Sequence, residues 1–158
     1  MPFVVDGYNF LHSIKKNFEQ FVDITDFRIA RLLSLYAQKT RGTGHLVFDG
    51  IGPPNREDFN NIECVEVVFS GTEKEADDLI EDIIIANTAP KRLVVVSDDR
   101  RLIVAAKKRK CQHIDCVSFM LHLTSEIERS KKIRQEPPSK NLGISSSETE
   151  GWLDEFGF

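Results

Sequence analysis

A chain of 158 residues with 41% hydrophobic content is sized for one domain around a single core, which excludes both a disordered chain and two independent cores. Its three cysteines, Cys64, Cys111 and Cys116, contain no CxxC pair, which argues against a disulfide framework or a zinc ribbon. The formal charge of −4 belongs to the C-terminal end: residues 135–158 hold five acids and one base, while the other 134 residues balance 20 bases against 20 acids. That neutral average accommodates a basic rim around an acidic pocket, so charge alone does not exclude a nucleic-acid partner. No apolar run approaches the length of a membrane span, and Met1 leads directly into Phe3-Val4-Val5. A cytoplasmic location is therefore expected.

In chain order, the first β-branched run predicts a strand over Phe3–Asp6. An apolar stripe through Phe27, Ala30, Leu33 and Ala37 predicts a helix over Asp26–Thr40, with Asp26 as its N-cap. Strands follow at His45–Asp49 and Val65–Phe69, then a helix over Glu73–Thr88. A strand over Leu93–Ser97 precedes a helix over Asp99–Lys110, a short strand over His113–Val117 and a helix from Ser118 to about Ile133, where Pro137-Pro138 forbids continuation. This alternation is the pattern of an α/β domain with a mostly parallel sheet, and no internal repeat is present. The domain is expected over residues 1–133 and a flexible acidic and aromatic tail over 134–158. The tail reads either as a disordered end or as a docking peptide for its own domain, a second copy or another protein.

Three strands end in the same way. Asp6 closes Val-Val-Asp-Gly-Tyr-Asn, Asp49 closes Leu-Val-Phe-Asp-Gly, and Asp98 follows Val-Val-Val-Ser. Ligands of open α/β sheets bind beyond the carboxyl ends of the strands, so neighbouring strands would bring these carboxylates together. Gly7 and Gly50 are expected to release the backbone into turns. The alternative for any single strand-end Asp is a turn former or a helix cap. A fourth acid comes from Glu73-Lys-Glu-Ala-Asp-Asp-Leu-Ile-Glu-Asp82: Asp77 lies roughly 90° from the centre of the Ala76, Leu79, Ile80, Ile83 and Ile84 stripe, whereas Asp78 lies nearly opposite it. Asp77 therefore borders the core, and Asp78, Glu81 and Asp82 read as a solvated acidic face.

Carboxylates gathered without cysteine or histidine select hard cations such as Mg²⁺ or Mn²⁺. Such ions activate water and neutralise phosphate charge, which points to hydrolysis of a phosphate ester. Asn9 is a candidate for orienting water or a phosphate oxygen, or else a cap of a following helix. Ser97 and Asp99 would support the metal shell or cap the next helix. Candidate RNA contacts are Arg100 and Arg101 beside Asp98, Lys107 and Lys108 on the same predicted helix, Arg28, and Tyr8 as a stacking ring. The basic runs Lys107–Lys110 and Lys131–Arg134 equally suit helix ends that complement the dipole. Cys111, His113 and Cys116 have the softness of zinc ligands but lack a second half and read as core and loop residues. A phosphotransfer receiver would need an acidic pair after the first strand, and a haloacid-dehalogenase phosphatase would need DxDxT; this chain has DGYN.

Asp6-Gly7-Tyr8-Asn9, Val47-Phe48-Asp49, Glu75-Ala76-Asp77-Asp78-Leu79-Ile80-Glu81 and Val96-Ser97-Asp98 together resemble the motifs of YacP-like NYN domains, members of the PIN-like group of nucleases. The resemblance covers residues 1 to about 125. It implies a PIN-like Rossmannoid three-layer fold, divalent-metal endoribonuclease activity and metal-binding roles for Asp6, Asp77 and Asp98, with Asp49 as a further member of the shell. It also implies RNA on the ribosome as a setting. Glu75 stands where the family commonly has a hydroxyl residue, and Asp99-Arg100-Arg101 after Asp98 is a further departure. The competing expectation is an RNA- or protein-binding module of the same fold that does not cut.

Overall fold

Five β-branched runs form the parallel strands β1 (Pro2–Asp6), β2 (Thr43–Phe48), β3 (Val65–Phe69), β4 (Val94–Val96) and β5 (Gln112–Ile114) of a single sheet ordered β3-β2-β1-β4-β5. Helices α1 (Gly7–Asn17), α2 (Asp26–Thr40), α3 (Ala76–Ala86), α4 (Arg100–Lys108) and α5 (Cys116–Gln135) cover it. This computed structural model describes residues 1–135, with side chains through residue 129; of the tail expected over 134–158, residues 134 and 135 end α5 and the rest lies outside the described residues. Among the described residues no helix is long and apolar enough to cross a membrane.

Phe3–Val5 of β1 and the whole of β4 are continuously apolar because both sheet faces are covered there, whereas β2, β3 and β5 admit His45, Glu66, Gln112 and His113. Phe3 and Val5 point into a core shared with Phe10, Ile14, Leu33, Tyr36, Phe119 and Leu123 of α1, α2 and α5. Val4, Val47 and Val95 point the other way, against Ile80 and Ile84 of α3 and Leu102 and Ala106 of α4. Each such side chain contributes about 1.5–3 kcal/mol on burial; the single core expected is divided by the sheet into a larger layer against α1, α2 and α5 and a smaller one against α3 and α4. The stripe read for α3 has Ala76, Ile80 and Ile84 buried, with Leu79 and Ile83 packed at its border.

Local chemistry explains where element boundaries differ from expectation. Gly7 starts α1 rather than a turn, because a Cβ on it would stand 2.3 Å from the Phe48 ring; only glycine lets the helix begin this close to β2. The turn signal of Gly7-Tyr8-Asn9 therefore concealed an 11-residue helix. Gly50 does occupy a left-handed conformation, at φ 88°. Helix α2 is capped by Thr25, whose Oγ1 accepts from the Arg28 amide at 3.2 Å, and Asp26 is its first residue. Helix α3 starts at Ala76, later than its acidic run suggests, because Asp49 Oδ1 accepts the Ala76 amide at 2.6 Å. Glu75 and Asp78 close a capping box over the same turn.

From β1 the chain builds outward to β2 and β3, then crosses to β4 and β5 on the other side. The switch point thus lies between the carboxyl ends of β1 and β4, where a crevice opens in sheets of this kind.

Candidate metal centre

Asp6 is carried to that crevice as the last residue of β1 and is only 9% exposed. Asp77 enters from the first turn of α3, and Asp99 from the N-cap of α4, where its Oδ1 accepts the Arg101 amide at 2.9 Å. One carboxylate oxygen from each of the three lies within 4.8 Å of the others, the one group of this kind among the described residues. Two helix N-termini therefore face the cluster, and their dipoles favour the ionised acids.

Ser97 ties two of the acids together. Fully buried, it donates from Oγ to Asp6 Oδ2 at 3.4 Å, a long contact, and the same oxygen accepts the Asp99 amide at 3.0 Å. Its carbonyl lies 2.8 Å from His113 Nε2. A carbonyl only accepts, so this bond fixes the proton on Nε2 of the imidazole.

The three acids stand close without a matched charge for each. Burial first, then the charge of Asp99, then Asp49, raises Asp6 to about 6, against the Asn9 amide and the Ser97 hydroxyl. Asp77 is raised to about 7 by burial, by hydrogen bonding and charge from Asp99 and by Asp6, opposed by Arg101. Oxygen donors in this number, with acids held above their ordinary range, fit a hard divalent cation, which would relieve the repulsion among them.

Of the acids expected here, Asp6 and Asp77 meet, but the third place is taken by Asp99 rather than Asp98. Asp98 is exposed and otherwise engaged: its Oδ1 accepts the Cys116 amide at 3.0 Å at the start of α5, and its own amide donates to Asn9 Oδ1 at 2.9 Å. Asn9 Oδ1 also accepts from Cys116 Sγ at 3.2 Å, so its carbonyl oxygen braces the loop after β4. Asp49 stands outside the group of three. It fixes the start of α3, and with it Asp77, while its charge reaches Asp6. Both Asp98 and Asp99 directly follow a strand, where no periodicity survives to distinguish them; the only hint was that Asp99 precedes a helical pattern.

The expected RNA contacts separate as well. Arg100 begins α4 beside the cluster and is exposed. Arg101 is held by acids of the α3 region. Lys107 and Lys108 occupy the last turn of α4, about 10–12 Å along the helix from the cluster, where they complement its dipole. Tyr8 is 41% exposed, with its ring 4.8 Å from that of Phe48. Burial, then the charges of Asp26 and Asp49, raise its phenol. Phe27 meets Phe59 at 5.4 Å, and Phe59 meets Phe48 at 6.5 Å, which places the start of α2, and so Arg28, at this end of the sheet. Cys116 is buried in the core, and Cys111 packs against the second core. The run Lys131–Arg134 falls in the last turns of α5.

The YacP-like NYN domain family model matches residues 3–152, well past the stretch over which the motifs were expected to extend. Two crystal structures of Rae1 (YacP) from Bacillus subtilis are similar. One matches with a TM-score of 0.65 and 21% identity over 99% of this chain and 92% of that one. The other, a mutant, matches with a TM-score of 0.61 and 22% identity over 98% and 99%. At these identities the likeness is one of fold. Comparison with curated proteins gave no match.

Proposed function

The chain belongs to the YacP-like NYN family, and from that premise we propose that it is a divalent-metal-dependent endoribonuclease that works through Asp6, Asp77 and Asp99. The family lies within the PIN-like nucleases, which makes RNA the expected substrate class. The observation that carries the reading is the convergence of three carboxylate oxygens within 4.8 Å at the switch point of the sheet.

A bound Mg²⁺ or Mn²⁺ would supply Lewis-acid activation of water and neutralisation of the phosphodiester. The chain's own contribution is positional. Asp6 is set by the central strand and by Ser97, Asp77 by the Asp49 clamp on α3, and Asp99 by its capping of α4. Asn9 acts through the loop it braces rather than as an orienter of water. Arg100 and Tyr8, exposed at the same end, are the residues best placed to meet a phosphate and a base.

The test is incubation of the protein with single-stranded RNA and Mn²⁺ or Mg²⁺, beside the Asp77→Asn variant. Metal-dependent cleavage by the wild type, lost in the variant, is expected. A ribosome-bound message serves as the second substrate, since the resemblance implies that setting. RNA retained without cleavage in both formats would overturn the nuclease reading in favour of a binding module.

A further inference from the structure

The acids around the start of α3 form two groups that share Asp77. Toward β1, Asp77 meets Asp6 and Asp99. On the other side, Glu75, Asp78 and Glu81 surround the guanidinium of Arg101, which α4 projects across to α3. We propose that Arg101 holds the place of a second cation, so that this centre takes a single divalent ion and admits another only when the charge of Arg101 is removed. This inference rests on the reading of Asp6, Asp77 and Asp99 as metal ligands.

The contacts are those of a fork filling a carboxylate cage. Nη2 donates to Asp78 Oδ1 at 2.7 Å and to Glu81 Oε2 at 3.1 Å, and Nε donates to Glu81 Oε1 at 2.8 Å. Nη1 lies 3.9 Å from Glu75 Oε2 and 4.0 Å from Asp77 Oδ2. The last contact sets a positive charge directly against a carboxylate of the open group. In two-metal sites the ions stand roughly 3.5–4 Å apart, and here Asp77 is the acid common to the open group and to the neighbourhood of the guanidinium.

Three further observations support a resident cation over a contact for RNA. The donors on Nε and Nη2 are engaged by carboxylates, and a phosphate brought to this guanidinium would meet four acids. A guanidinium also stays charged at any physiological pH, whatever its neighbours. The two groups are also mechanically joined, because the amide of Arg101 donates to Asp99, one of the open acids.

The experiment counts Mn²⁺ bound per full-length chain, by electron paramagnetic resonance of the free ion, without substrate. One ion is expected for the wild type and for Arg101→Lys, and two for Arg101→Gln, the second being lost again when Glu81→Gln is added. Two ions in the wild type would overturn the role of Arg101 without recourse to any variant. A folded Arg101→Gln protein that still binds one ion would do the same. If neither protein binds Mn²⁺, the metal centre itself fails and this inference falls with it.

Discussion

On one side of Asp77, three carboxylates share one guanidinium at hydrogen-bonding and near-contact distances. On the other, Asp6 and Asp99 face Asp77 across a gap framed by a serine hydroxyl and backbone amides. The matched acid Asp78 is lowered, while the unmatched Asp6 and Asp77 are raised to about 6 and about 7. The consecutive residues Asp77 and Asp78, of the same type, are thus in opposite electrostatic states. One acidic group thus has a cation of its own from the chain while its neighbour has none of its own, and the proposed divalent ion would supply that charge.

The sharpest way to break that contrast is to neutralise the two adjacent aspartates after β4 separately. Asp99→Asn should lower Mn²⁺-dependent RNA cleavage about a hundredfold or more, whereas Asp98→Asn, outside the group of three and still able to accept from Cys116, should cost less than about tenfold. Equal losses measured in a cleavage assay would erase the distinction between them. Ser97→Ala comes next: without the hydroxyl linking Asp6 to the Asp99 amide, Mn²⁺ affinity should weaken by about tenfold, read by titration calorimetry.

A third test separates the two groups by pH in metal-free protein. Asp6 and Asp77 have folded values above those of the unfolded chain, so between about pH 4 and 7 the folded state binds more protons. Their contribution to stability is therefore lost as pH rises through that window. Asp77→Asn should leave melting unchanged near pH 4 and raise it at pH 8 by about 2–4 °C, equivalent to about 1 kcal/mol, in a scan without divalent ions. Added Mn²⁺ should reverse the order at pH 8. No crossover would mean that the open group carries no excess charge. The smallest effect is expected at the far end of α4: Lys107→Ala with Lys108→Ala should change the salt dependence of RNA binding less than Arg100→Ala alone, which should lower the slope by about one.

Much of this was legible in the chain itself. Apolar runs located β1 to β4 because a sheet covered on both faces leaves little room for polar residues, while β5, at the edge, carries Gln112 and His113 and was marked more by its place between two helices. The helical wheel separated Asp77 from Asp78, since a helix imposes a period that side chains must obey. The choice between Asp98 and Asp99 had no such guide. It is made by the backbone rotation that lets Asp98 cap α5 and Asp99 cap α4. Helix α1 was hidden because glycine signals turns by its own flexibility, while Gly7 is required here by a ring from a strand about 40 residues away. The cage around Arg101 was equally out of reach, because it joins two helices through a long side chain. Such contacts leave no local pattern.

The register that pairs Val5 with Val96 has a consequence in time. It brings Asp6 beside Ser97, 91 residues further along the chain, and nothing nearer in sequence can make that contact. Parallel pairing over such a separation forms slowly. During synthesis Asp6 emerges among the first residues and waits for β4 and the start of α4 before its partners exist. The acidic centre is thus assembled only once residue 99 has left the ribosome and the middle of the sheet has closed, so a partly made chain carries no complete centre.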